Sequence, residues 1–185
     1  MQDLLDHLGR LDAPPSLQTL ARLLETVQPS AQQVRDVRSE DPRRPYGRNV
    51  LLDTPVVEGM VATWTPGAWC LPHDHGGSVG GVRVLQGRAH HKVFAVREGR
   101  LDLVKEERVD AGQVMQCGSD LVHAMRCDGA DEGLMTLHLY AGPIDHMVVY
   151  GADATYVVDG GCGAWIPTGR PELIRSRAQG IVRRP

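Results

Sequence analysis

The stretch 67-GAWCLPHDHGGSVGGVRVLQG-87 sets His73 and His75 one residue apart, ahead of a glycine-punctuated run of β-branched and apolar residues. On a strand, positions i and i+2 face the same way, so both imidazoles can converge on one ion while Asp74 points away. The run that follows them, 79-VGGVRVL-85, has many counterparts: 48-RNVLL-52, 58-EGMVATW-64, 91-HKVFAVR-97, 101-LDLVKEE-107, 134-LMTLHLY-140, 146-HMVVY-150 and 154-ATYVV-158. Gly, Pro or Asp stands at nearly every join. Many short strands with frequent turn signals predict an antiparallel sandwich or barrel.

Ahead of Pro45 the pattern is helical. Leu and Val recur at three- and four-residue spacings in 3-DLLDHLGRL-11 and 17-LQTLARLLETV-27, with Pro14-Pro15 between them and Ser16 as N-cap. Pro29-Ser30 opens a third candidate, 31-AQQVRDVRS-39. The expectation is a mostly β, single domain over 1–185, with a helical N-terminal region (1–42) packed on an antiparallel β-barrel and C-terminal tail (46–185). No internal repeat suggests a solenoid.

A composition of 42% hydrophobic and 23% charged residues is that of a globular chain, which argues against disorder. The net charge of −3, with basic residues concentrated only in 42-PRRPYGR-48 and the tail 175-RSRAQGIVRRP-185, predicts no nucleic-acid partner. No apolar run reaches the roughly 18 to 20 residues that span a bilayer, and the N-terminus is amphipathic and acidic, unlike a signal peptide. A cytoplasmic monomer with no membrane association is expected. Four cysteines without CxxC spacing (Cys70, Cys117, Cys127, Cys162) are read as free buried thiols.

The frame of Gly67, His73-x-His75 and Gly87 resembles the first cupin motif, G-x5-H-x-H-x4-E-x6-G, with Gly80 where the motif carries a ligand glutamate. The segment 118-GSDLVHAMRC-127 resembles the second, which places His123 as the third ligand from a strand across the barrel. The fold implied is a jelly-roll-like cupin barrel holding a metal on three neutral imidazoles. His90 and His91 face opposite ways on a strand, and His7 and His146 lack a partner at ligand spacing; these four are read as structural or surface residues. Three histidines with open positions also describe a catalytic zinc site that ionises water, so the ligands alone do not choose the metal.

The segment 134-LMTLHLYAGPID-145 is similar to the Ser-x-His-x-Tyr strand of the cysteine dioxygenase family, with Thr136, His138 and Tyr140 at its three positions. Alternation puts the three side chains on one face, where a hydroxyl, an imidazole and a phenol can form a relay. Upstream, 46-YGRNVLL-52 resembles the family's carboxylate-holding segment, which makes Arg48 the anchor and Tyr46 an adjacent phenol. A planar guanidinium suits both oxygens of a carboxylate. Across residues 46 to 147 the resemblance implies an Fe(II) thiol dioxygenase whose partners are a small thiol and dioxygen. The product that the resemblance implies is a sulfinate.

Departures from the family bear on detail. Gly80 stands where the animal enzymes have a cysteine that becomes thioether-linked to the tyrosine, so Tyr140 is expected to be an unmodified phenol. The Ser-Pro-Pro after the tyrosine is 141-AGP-143 here, and Met147 replaces a cysteine. Relatives that prefer 3-mercaptopropionate usually carry Gln at the position of Arg48 and an arginine near that of Met147, so L-cysteine is the expected substrate. Mercaptosuccinate stays open, as does a non-enzymatic cupin binding module.

Overall fold

The computed structural model describes residues 1–129 and 133–180, so the last five residues of the basic tail lie outside it. Three helices come first: α1 (Gln2–Leu8), α2 (Leu17–Thr26) and α3 (Ala31–Asp36). Ser16 caps α2 by accepting from Thr19 N, and Ser30 forms a capping box with Gln33 at the start of α3. The helices end slightly earlier than their apolar spacing predicts, and Leu11, Val27 and Val37, just past their ends, still pack in an apolar cluster.

The strands are β1 (Tyr46–Asp53), β2 (Val57–Trp64), β3 (Val79–Gln86), β4 (Arg88–Arg97), β5 (Arg100–Asp110), β6 (Val114–Cys117), β7 (Val122–Cys127), β8 (Leu134–Ala141), β9 (His146–Tyr150), β10 (Ala154–Asp159) and β11 (Ile174–Gln179). Their antiparallel ladders form a five-stranded sheet, β1-β2-β8-β3-β6, and two three-stranded sheets, β11-β10-β9 and β5-β4-β7. The two smaller sheets are stitched together by the extended segment around His73. This residue bridges His123 of β7 on one side and Val149 of β9 on the other. At the β3–β4 turn Gly87 adopts φ +76°, and a Cβ there would lie 2.1 Å from Gly133 O, so only glycine fits.

The predicted barrel is open, because the ladders do not close around the molecule. Among the described residues, strand β6 pairs only with β3, and β5 only with β4. The run Lys105, Glu106, Glu107, Arg108 gives β5 the charged character by which edge strands resist further pairing.

Between the layers, Met60, Ala62, Trp64 and Val82 meet Ala89, Val109, Ala124 and Met125 in one apolar cluster. On the other face of the five-stranded sheet, Leu8, Leu20 and Leu24 pack against Val57, Val61, Leu137 and Leu139. Each fully buried leucine there contributes about 1.5–3 kcal/mol. Strands β2 and β8 are therefore buried on both faces, as their near-continuous apolar sequences require. Buried Arg83 reaches through this interface, and its Nη1 donates to Leu24 O and Glu25 O at the C-terminal end of α2. Among the described residues no helix is long and apolar enough to cross a membrane.

Candidate metal centre

His73 and His75 sit on the connection before β3, outside any regular strand, which corrects the strand reading of the His-x-His pair. The segment is nonetheless extended. His73 N donates to His123 O and His123 N to His73 O, while Asp74 N donates to Val148 O. Asp74 points away from the histidines as expected, and its Oδ1 accepts from Gly76 N at 3.0 Å and Val148 N at 2.9 Å. Tertiary pairing supplies the alternation that a strand would have supplied.

His73, His75 and His123 are all buried, and one ring nitrogen from each lies within 4.8 Å of the other two. The His75 and His123 Nε2 atoms are 3.2 Å apart. Burial holds these imidazoles below their ordinary pKa, with His73 lowered to about 4 and the other two well below 6.5. Two neutral rings meet at this distance either with one Nε2–H donating to the other or with both lone pairs turned on a shared cation. At metal–nitrogen bonds of about 2.0–2.1 Å, adjacent ligand nitrogens would be roughly 3 Å apart, so the 3.2 Å separation suits a shared ion. His73 Nδ1 donates to Leu71 O at 2.9 Å, which leaves its Nε2 lone pair for the ion. The residues fit a metal.

Beside this group, Thr136, His138 and Tyr140 form the predicted relay. Thr136 Oγ1 is 2.7 Å from His138 Nε2, and His138 Nδ1 is 3.0 Å from the Tyr140 hydroxyl. Sequence reading missed its terminus: Trp64 Nε1 donates to Thr136 Oγ1 at 2.8 Å. An indole only donates, so Thr136 accepts there, with its hydroxyl hydrogen and second lone pair left for the contact with His138 Nε2. Burial and nearby Arg48 lower the His138 pKa to about 3 and keep the ring neutral, so one of its nitrogens donates and the other accepts within the file. The Tyr140 hydroxyl lies 3.3 Å from His75 Nε2, at the edge of the three-histidine group. Burial also raises the phenol well above its ordinary pKa, so it stays protonated.

Gly80 lies under this tyrosine. A Cβ at position 80 would stand 2.5 Å from Tyr140 Cδ1 and 2.4 Å from Leu139 O, so the ring occupies space that any side chain would need.

Arg48 lines the same cavity as the three histidines, His138, Tyr140 and Met147. Its charge is already balanced. Nη2 donates to Glu58 at 2.9 Å, Nη1 to Gly160 O at 3.1 Å, and Nε points to Met60 Sδ at 3.1 Å. Two of the five guanidinium hydrogens remain for a ligand. Glu58 had no signal in the sequence, because the β1–β2 register sets Arg48 opposite Ala62 and Glu58 opposite Asp53, and the long Arg48 side chain runs past Met60 to reach it. Tyr46 also lines the cavity, and its oxygen accepts from Ala164 N at 2.9 Å.

Among the other histidines, His91 changes standing. Its Nε2 lies 2.9 Å from His123 Nδ1, so it supports a candidate ligand and is more than a structural residue. His90 faces the opposite way, as predicted, and pairs with Glu106 beside Trp69. His7 is exposed and His146 contacts Asp145, both away from the site.

Several solved structures are similar to this chain. KdgF from Halomonas sp. is 18% identical over 56% of this chain and 85% of its own, with a TM-score of 0.45. A protein with a double-stranded β-helix domain from Klebsiella pneumoniae is 18% identical over 77% and 97%, with a TM-score of 0.46. The cupin domain of Cnp3 from Schizosaccharomyces pombe is 16% identical over 54% and 66%, with a TM-score of 0.45. The family model for cysteine dioxygenase type I matches residues 13–153, a span that holds every predicted site residue from Tyr46 to Tyr140. With most of its length and the whole three-histidine group inside that match, this mostly β cupin chain belongs to the cysteine dioxygenase type I family.

Proposed function

We propose that this protein is a non-haem Fe(II) thiol dioxygenase that converts L-cysteine and dioxygen to cysteine sulfinate. The observation that carries the proposal is one cavity lined at once by three neutral imidazoles, a phenol held by His138 and a guanidinium. His73, His75 and His123 would hold the iron, leaving positions open for substrate. Fe(II), when bound, supplies the one-electron chemistry that lets dioxygen react with a thiolate. The chain's other residues position the reactants. Arg48 offers its two remaining N–H groups to the substrate carboxylate, and Tyr140 presents its hydrogen toward the sulfur or the adding oxygen. Burial of the relay excludes water, which strengthens both contacts.

The cavity also bears on the substrate. Among its described lining residues Arg48 is the only Lys or Arg, so one carboxylate has a partner and a second has none. This supports cysteine or 3-mercaptopropionate over mercaptosuccinate. Glu58 balances Arg48, and a locally neutral pocket suits a zwitterionic amino acid better than an anion. The proposal includes a cytoplasmic monomer. Four buried free cysteines suit a reducing compartment, and a site built from one chain needs no second copy.

Oxygen uptake by the Fe(II)-loaded protein, measured on L-cysteine, 3-mercaptopropionate, mercaptosuccinate and cysteamine, tests this reading, with cysteine expected to be the best. Arg48→Gln should lower kcat/KM for cysteine by about thirty- to several-thousand-fold, since truncating one partner of a buried charged contact costs roughly 2 to 5 kcal/mol. Cysteamine, lacking the carboxylate, should lose far less. Because the single variant also strands Glu58, Arg48→Gln/Glu58→Gln serves as the control. Equal losses on all four thiols in both variants would make Arg48 a structural residue, and no uptake by wild type on any thiol would sink the proposal.

A further inference from the structure

His123 is held from behind by a file of side chains that crosses three strands. Glu107 of β5 stands directly opposite His91 of β4 in the ladder, and His91 lies diagonally across from His123 on β7. Glu107 Oε1 is 3.0 Å from His91 Nδ1, and His91 Nε2 is 2.9 Å from His123 Nδ1. The other Glu107 oxygen is engaged by Lys105 Nζ at 2.9 Å, which leaves Oε1 for the imidazole. His91, Lys105 and Glu107 line a second cavity, whereas His123 lines the one that holds Arg48 and Tyr140.

The donor and acceptor inventory gives this file one direction. A carboxylate only accepts, so His91 must carry its proton on Nδ1. A neutral imidazole then has a bare Nε2, which can only accept from His123 Nδ1–H. The lone pair of His123 is thereby left on Nε2, the nitrogen that faces His75. In the opposite direction His123 would carry its proton on Nε2, aimed at His75, and would be useless as a ligand.

We propose that Glu107 and His91 are positioning residues for the metal, fixing the tautomer and ring orientation of His123. Metal affinity then depends on a carboxylate that never approaches the ion. The inference rests on the three-histidine reading of the metal site and is independent of the substrate. Outer partners of metal ligands typically account for about 10- to 100-fold in affinity, which sets the expected effect.

Two measurements on the full-length protein test it. In the metal-free protein, long-range proton–nitrogen NMR of the histidine rings should show His123 as the pure Nδ1–H tautomer. Glu107→Leu and His91→Phe should give a mixture or the Nε2–H form. Glu107→Gln, whose amide oxygen still accepts from His91, should preserve the wild-type pattern. In anaerobic competition titrations with Fe(II) or Co(II) alone, Glu107→Leu and His91→Phe should bind about 10- to 100-fold more weakly than wild type, and Glu107→Gln should stay close to it. Thermal melting establishes that each variant folds. If His91→Phe does not, the Leu and Gln variants of half-exposed Glu107 carry the test. An unchanged His123 tautomer and unchanged affinity in the folded Leu variant would overturn the inference. Failure of wild type to bind either metal would instead remove the metal-site reading, while the tautomer spectra would still decide the relay.

Discussion

Tyr140 is the residue at which the local chemistry is most constrained. Trp64, Thr136, His138 and Tyr140 form one hydrogen-bonded file, which holds the phenol in place beside the three histidines. On the proposed function the phenol faces the reactants, and it lies outside the three-histidine donor set, so it should serve turnover more than metal binding. Tyr140→Phe is expected to lower kcat by about ten- to a thousand-fold, the range for a positioned acid or electrostatic donor, while iron content stays at the wild-type value. Unchanged turnover would reduce Tyr140 to a packing residue. At this scale the sequence was informative where spacing carries the signal: Thr136, His138 and Tyr140 alternate along one strand. Trp64 and Glu58 were silent because each reaches its partner only across a ladder, and a strand's sequence does not announce its register. The same register seats the tyrosine ring over Gly80, a position that its own sequence context marks only as a departure from the cupin motif.

Among the elements, the connection carrying His73 and His75 depends most on its neighbours. It has no ladder of its own and is held between β7 and β9 by single bridges. Asp74 supplies much of the rest, because its buried carboxylate accepts two backbone hydrogens, one of them from β9. Hydrogen bonds to a charged group are worth about 1.5–3 kcal/mol each. Asp74→Ala should therefore lose roughly 2 to 5 kcal/mol of stability in denaturant titration, and should weaken Fe(II) binding although Asp74 touches no metal. A loss below about 1 kcal/mol would mean that the bridges alone hold the segment. The helices, the long strands and the helical cover were legible from periodicity. Strands β6, β7 and β11 were not: β6 has only four residues, β7 mixes His, Met and Arg with its apolar positions, and β11 is a polar edge. His123 was placed on a strand through the motif resemblance alone.

For the whole molecule, the consequence of burying so many imidazoles is a pH dependence. His73 is lowered to about 4 and His138 to about 3, with His75 and His123 well below 6.5, in every case chiefly by burial. The unfolded chain takes up these protons near pH 6.5, whereas the folded protein refuses them until about pH 4 or lower. Their neutral burial is thus tolerated fully above pH 6.5, and stability is lost as the pH falls below it, by up to about 1.4 kcal/mol per histidine per pH unit. The melting temperature of the metal-free protein should drop steeply between pH 7 and pH 5. A flat profile would show that the rings titrate normally. By itself the sequence determined the β-rich class, the helical cover and the residue types of the site, because periodicity and ligand spacing are local properties of the chain. It also carried the resemblance by which the family was recognised. Tertiary structure alone decided that the sheets stay open, that the His73–His75 segment is extended without being a strand, that Glu58 balances Arg48, and that Glu107 reaches His123 through His91. Each of these depends on which strands lie side by side and in what register, and that is set by packing between residues far apart in the chain.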